Sequence, residues 1–224
     1  MDMFEIFAVD YQSLSRTTST ELFSLRKGTF KDRLNWAVNC SDGMEFDEYD
    51  SEHTTYLLGV KDNDVVCSVR LIETRYHNMI VGTFCQYFAK AEIPASSQFF
   101  ESSRFFVDKR RARTLLANQY PLCHLLFLAM INYTLSSGHQ GIYTIVSHPM
   151  LRILTRSGWD VSVVEKGTSE KDQAIYLVYL PADAENQRCL IERINQDLEQ
   201  PYPQALLQAW PLLLEEETIS AQSV

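Results

Sequence analysis

Residues 98 to 108 read QFFESSRFFVD, an aromatic-rich run bounded by polar residues, and this pattern predicts a central strand. Upstream, TTYLLGV (54–60) and VVCSVRLIE (65–73) are separated by Lys61, Asp62, Asn63 and Asp64, which predicts a hairpin closed by turn-forming Asp and Asn. Downstream, PLCHLLFLAMINYTLS (121–136) is apolar almost all round and predicts a helix buried on several sides. Gly138 and Gly141 then allow a turn into a strand, IYTIVS (142–147). PMLRILTRSG (149–158) begins with Pro and ends with Gly, the asymmetry of a helix, and strands follow over 159–167 and 173–181. Nearer the N-terminus, FEIFAV (4–9) suits a strand. Residues 19–34 space Leu22, Leu25, Phe30 and Leu34 for a helix, with Ser19 or Thr20 to cap it. Strands are hairpin-linked in the first half and alternate with helices in the second. The expectation is an α/β fold, a single three-layer α/β/α domain with a mixed, mostly antiparallel central sheet. Residues 1–182 carry it, and 183–224 add an amphipathic helix and an acidic tail from Glu215 to Glu217.

The bulk numbers agree with one globular unit. The chain has 224 residues, 46% hydrophobic, with 8 Gly and 7 Pro, which excludes disordered and collagen-like material. A net charge of -9 argues against a general nucleic-acid binder, since neutralising phosphates needs a basic surface. Five cysteines without a C-x-x-C pair offer neither a zinc site nor a disulfide framework. No basic leader opens the sequence, and the longest apolar run, Leu125 to Ile131, falls far short of the ~20 residues of a membrane span. The chain is expected to be soluble, reduced and cytoplasmic. The average charge hides a local reversal: Arg104 to Arg156 holds seven basic residues against Asp108 alone, a surplus of six.

Glycine-rich phosphate loops, the G-x-S-x-G elbow and the H-E-x-x-H zinc helix are all missing. His124, in the most apolar helix, reads as a hydrogen-bonded core histidine. What stands out instead is charge in apolar strands: Arg70 in VVCSVRLIE, and Glu101 and Arg104 between two Phe-Phe pairs. Burying such charges alone costs several kcal/mol, so each needs a partner or a ligand. Asp47 and Asp50, from a loop with six acids and no Lys or Arg between Asp42 and Glu52, are candidate partners. A purely structural ion-pair network and a ligand site fit these residues equally well. On a regular strand Glu101 and Ser103 share one face and Ser102 and Arg104 the other. One site served by both Glu101 and Arg104 therefore predicts a bulge or splay near Ser102–Ser103.

Taken together, several motifs resemble those of the acyl-homoserine-lactone synthases, the autoinducer synthases of bacterial quorum sensing. They are L-R-K-x-T-F (25–30), D-R-L-x-W (32–36), E-x-D-x-Y-D (45–50), C-S-V-R (67–70), E-S-S-R-F-F-V-D (101–108), Y-T-I-V-S (143–147) and the R-S-G-W ending at Trp159. The resemblance implies a fold similar to the N-acetyltransferases, with a sheet splayed around a thioester. It also implies two substrates, S-adenosylmethionine and an acyl chain on acyl carrier protein, with no separate cofactor and no metal. Methylthioadenosine would be released as the lactone closes. It maps the adenosylmethionine pocket onto Arg26, Phe30, Trp36, Asp47, Asp50 and Arg70, and catalysis onto Glu101, as base, and Arg104. The acyl pocket would take Ser102, Ser103, Met130, Thr144 and Val146, and Thr144 implies a 3-oxo-acyl product. Lys109, Arg110, Arg111, Arg113, Arg152 and Arg156 would dock the acidic carrier. An acyl-CoA donor is the alternative, disfavoured by a stretch from Asp108 to Arg113 that lacks Gly; a non-enzymatic binding protein leaves Arg70, Glu101 and Arg104 unexplained.

Overall fold

A computed structural model of the protein describes residues 4–117, 119–198 and 202–213; the acidic tail expected from Glu215 lies outside the described residues. The chain enters through β1 (Glu5–Asp10) and α1 (Arg16–Arg26), and a π-helical stretch over Lys27–Arg33 continues α1 without a break. The helix starts ahead of both expected caps, because the Ser15 hydroxyl accepts from the Thr18 amide at 3.0 Å and seeds the first turn there. A small hairpin, β2 (Cys40–Ser41) and β3 (Met44–Glu45), opens the acidic loop. β4 (Thr54–Lys61) and β5 (Asp64–Glu73) then form the expected hairpin, and β6 (Phe99–Val107) is the aromatic strand. α2 (Lys109–Leu116), α3 (Leu122–Ser136), β7 (Gly141–Ser147) and α4 (His148–Arg156) follow. β8 (Ser162–Thr168), β9 (Ala174–Pro181), α5 (Ala184–Asp197), α6 (Gln204–Ala209) and β10 (Leu212–Leu213) complete the described chain.

One eight-stranded sheet runs in the order β10-β1-β4-β5-β6-β7-β9-β8, mostly antiparallel, with β1–β10 and β6–β7 parallel. Helices α3 to α6 cover one face. There Leu125, Leu126, Leu128 and Ile131 of α3 are wholly buried against the sheet, each contributing roughly 1.5–3 kcal/mol by leaving water. The opposite face is covered in two parts. α1 and its π-helical extension pack on β1, β4 and β6 through Leu22, Phe23, Phe30, Tyr56, Leu58 and Phe106. A segment over 75–98, with short helical turns at Ile80–Phe84 and Cys85–Tyr87, lies on β7 and β9. The chain after Pro181 is fastened to the first face: the Asn132 side chain donates to the carbonyls of Leu207 at 2.8 Å and Trp210 at 2.7 Å. His124 is half-buried and paired with Asp197 of α5 at 3.0 Å.

The centre of the sheet is where it comes apart. β6 and β7 pair over four rungs, Phe99 with Gly141 through Ser102 with Thr144, and beyond that rung they carry no further pairing. The Thr144 hydroxyl donates to the Ser102 carbonyl at 2.8 Å and ties the apex of the resulting wedge. Past that rung the main-chain donors and acceptors of these two strands no longer pair with each other.

Candidate active site

The predicted irregularity exists, two residues further on. Arg70 pairs with Ser103 and Ser68 with Phe106, so Arg104 and Phe105 together oppose the single Val69. Arg104 adopts φ 55, the left-handed region that a non-glycine residue enters only at a cost. The extra residue resets the alternation. Glu101, Ser103 and Arg104 reach one face, while Phe105 turns to the helical face and packs against Phe127 with ring centroids 5.1 Å apart and tilted.

Around them the three arginines and the acidic loop close into a buried lattice. Arg26 donates to Glu45 Oε2 at 2.6 Å and grips Asp50 through both terminal nitrogens at 2.7 and 3.0 Å. Arg70 bonds Asp47 and Asp50 through Nη1 and the Ser103 hydroxyl through Nε at 3.1 Å. Arg104 reaches Glu45 at 2.8 Å and Asp47 at 2.7 Å, and Tyr56 donates to Asp50 at 2.7 Å. Arg26, Arg70 and Glu45 are at most 1% exposed. Three cations thus meet three carboxylates before Glu101 is counted, and the burial cost is offset by a nearly complete set of charge-assisted hydrogen bonds. Asp50 sits well below the ordinary carboxylate range despite its burial, because Arg26 and Arg70 flank it.

Glu101 is the fourth carboxylate, and it differs. Its Oε2 accepts from the Ser103 hydroxyl at 3.3 Å, and the group is 1% exposed. Burial pushes its pKa up to about 7, against the opposing pull of Arg70 and Ser103, with Asp47 adding to the rise. A carboxyl half ionised near neutrality, oriented by the Ser103 hydroxyl, can accept a proton from an amine.

The arginines are not equally committed. Every donor nitrogen of Arg26 and Arg70 meets an oxygen of the lattice. Arg104 Nη1 instead faces the weak thioether acceptor Met79 Sδ at 3.1 Å. Arg104 is therefore the guanidinium with donor capacity to spare for a substrate carboxylate. Phe30 is core: it is 2% exposed, stacked under Trp36 at 5.1 Å, edge-on to Phe106 and beneath Arg104. Trp36 is 40% exposed and presents the aromatic surface. A cleft is lined by Asn39, Cys40, Ser41, Phe46, Asp47 and Glu48.

The expected acyl-pocket residues divide between the faces. Ser102, Thr144, Val146 and Met130 are buried on the helical side of the wedge. Ser103 is not with them: it bridges Arg70 and Glu101 on the other side, because the bulge begins only after it. The basic set divides too. Lys109, Arg110, Arg113, Arg152 and Arg156 are exposed and carry no ion pair among the described residues. Arg111 is taken up internally by Glu21, Asp64 and the Val65 carbonyl, which removes it from the docking set. Four residues of the site carried no expectation: Glu45, Tyr56, Met79 and Tyr49, whose ring packs under the Arg70 guanidinium.

Comparison with known proteins gives a consistent picture. The autoinducer synthase family model matches residues 10–190. An acyl-homoserine-lactone synthase of Pectobacterium carotovorum subsp. carotovorum is 59% identical over 210 residues, covering 94% of this chain and 96% of that protein. Among solved structures, the CoA-dependent acyl-homoserine lactone synthase BjaI, with MTA, superposes with a TM-score of 0.75 at 24% identity, over 89% of this chain and 92% of that one. A Lactobacillus plantarum protein described as an N-acetyltransferase shares the fold more distantly, with a TM-score of 0.53 at 12% identity over 81% of this chain and all of that one.

Proposed function

The chain belongs to the autoinducer synthase family and is an enzyme of the acyl-homoserine-lactone synthase kind, and on that premise we propose that it joins S-adenosylmethionine to a 3-oxo-acyl chain delivered on acyl carrier protein. Glu101 takes a proton from the substrate ammonium. The freed nitrogen attacks the thioester carbonyl, the C–S bond breaks and the carrier thiol leaves. The substrate carboxylate then attacks its own Cγ, the bond to the sulfonium breaks, and methylthioadenosine departs as the lactone closes. No cofactor beyond these two substrates enters the scheme.

The observation that carries this reading is the pairing of a wedge with a bulge. The wedge opens between the two faces of the sheet, so a thioester lodged in it can hold its chain among Met130, Thr144 and Val146 on one side. Its carbonyl then meets Glu101 on the other, where the bulge brings Arg104 alongside. Arg104 Nη1 supplies the donor for the adenosylmethionine carboxylate, and the exposed Trp36 face suits its sulfonium cation. Arg26, Arg70, Asp47, Asp50 and Phe30 act one step back, fixing the shape and charge of that pocket. For the 3-oxo preference, the Thr144 hydroxyl would swing from the Ser102 carbonyl to the acyl keto oxygen.

An acidic carrier is favoured over free acyl-CoA by the five cations at the α2 and α4 end of the wedge, which carry no ion pair among the described residues. The test is direct. The protein is incubated with adenosylmethionine and either 3-oxo-acyl carrier protein or the matching acyl-CoA, and the products are read by mass spectrometry. Lactone and methylthioadenosine should form in equal amounts, faster with the carrier. Equal or greater efficiency with acyl-CoA would overturn the carrier assignment, and preference for unsubstituted chains would overturn the 3-oxo one.

A further inference from the structure

Far from the acidic lattice, one carboxylate makes an unusual set of contacts. Glu165, on the edge strand β8, accepts from three successive backbone amides: Ala89 at 2.8 Å, Lys90 at 3.2 Å and Ala91 at 2.9 Å. Three consecutive amides converging on one anion form a concave nest, and Ala91 supplies its left-handed residue with φ 46. These amides end the segment that covers β7 and β9. The fit behind them is close: a Cβ on Gly167 of β8 would stand 2.3 Å from the Tyr87 carbonyl oxygen, so only glycine admits the segment there.

The other end of the same segment touches the site. Met79 lies against Arg104, and Thr83 exchanges a 2.8 Å hydrogen bond with Tyr49, which flanks the lattice. A Cβ on Gly82 would fall 2.2 Å from the Tyr49 hydroxyl, a second close approach at this end. Between the two ends, Ile80 and Phe88 pack on Ile175 and Leu177, with Tyr143 at the margin. Tyr143 is the register partner of Glu101. The segment therefore spans from the arginine whose Nη1 faces the Met79 thioether, past the strand position beside the proposed base, to the edge of the sheet.

We propose that residues 79–91 form a cover over the adenosylmethionine side of the site, and that Glu165 is a positioning residue that latches this cover through the amides of Ala89, Lys90 and Ala91. The assignment rests on the proposed use of adenosylmethionine, and it gives Glu165 a role in substrate retention without contact with substrate. A carboxylate suits the task because it can accept at several lone pairs, whereas the NH2 of a glutamine would face donors. Released from the latch, the cover keeps its apolar packing but loses its fixed end, so Met79 and Thr83 no longer hold a constant position against Arg104 and Tyr49.

Glu165→Gln and Gly167→Ala disturb the latch by different routes, one by charge and one by displacement, while Lys166→Ala serves as the neighbouring control. Amide hydrogen exchange on the free protein reads the latch without any substrate. Exchange at 89–91 should quicken roughly tenfold or more in both latch variants, as expected for losing charge-assisted hydrogen bonds, and stay unchanged in the control. In steady-state assays the KM for adenosylmethionine should rise roughly fivefold to tenfold while kcat stays within about twofold. Calorimetric adenosylmethionine affinity should fall to match. Unchanged exchange at 89–91, or faster exchange with unchanged affinity and KM, overturns the proposal. So does a uniform rise in exchange across the whole molecule, which would mark Glu165 as a general stabiliser. If the unaltered protein fails to bind adenosylmethionine, it is the functional reading that falls, and the exchange data still decide the latch.

Discussion

Glu101 is held by neighbours that favour its charge in a place that disfavours it, and the balance leaves its pKa raised to about 7. Two outcomes follow from that balance. As the base, it should give kcat/KM an acidic limb with an inflection near 7, and Glu101→Gln should lose nearly all lactone formation. As a buried acid whose folded pKa lies above its ordinary 4.5, it binds its proton more tightly in the native state. Its contribution to stability is complete below the unfolded pKa and is lost as pH rises through about 7. Thermal melts of Glu101→Gln should therefore vary less between about pH 5 and 8 than those of the unaltered protein. Arg104→Lys tests the spare donor. It keeps the charge but not the fork, so the KM for adenosylmethionine should rise roughly tenfold, with circular dichroism unchanged. Arg70, Glu101 and Arg104 were legible in the sequence because ionisable residues in apolar strands demand explanation. Ser103 lies on the Glu101 side, where plain strand alternation puts it; its grouping with the acyl pocket came from the resemblance and not from the strand pattern. Glu45 stood in the quoted E-x-D-x-Y-D motif, but its letters do not say which carboxylate is buried.

α2 gives the sharpest comparison among the elements, because two adjacent arginines on it have different surroundings. Arg110→Glu should raise the KM for the carrier severalfold and leave the melting temperature unchanged, since the side chain is exposed and unpaired among the described residues. Arg111→Glu should instead lower the melting temperature, because it sets a second carboxylate against Glu21 and abandons the Val65 carbonyl. At the wedge, Thr144→Val removes the hydrogen bond at its apex while conserving the β-branch. The expected result is a loss of discrimination between 3-oxo and unsubstituted chains, read in a competition assay. The β4–β5 hairpin was legible from its turn residues, and α3 from an apolar run too long for a strand. The cover over 79–91 was not: its helical turns are short, and its placement is decided by contacts with distant strands.

For the molecule as a whole, acid response should be governed by the lattice. Asp50 has its pKa depressed by Arg26 and Arg70, so its contribution is present above its ordinary value of 3.8 and is lost as the pH falls below it. Unfolding on acidification should set in below about pH 4, and Asp50→Asn should shift the onset upward while destabilising the protein at neutral pH by roughly 3–5 kcal/mol, measured by urea titration. The order of elements made the mixed sheet legible, and the basic run from Arg104 to Arg156 was visible beneath an overall charge of -9. That the sheet parts between β6 and β7 has a consequence for diversification. Under the proposed function, specificity for the tail of the signal and the machinery that makes the bond fall on opposite sides of one strand pair, with no side chain shared between the two sets named above. A lineage can therefore change the dialect it speaks by substitution behind the sheet, while the chemistry in front is inherited intact.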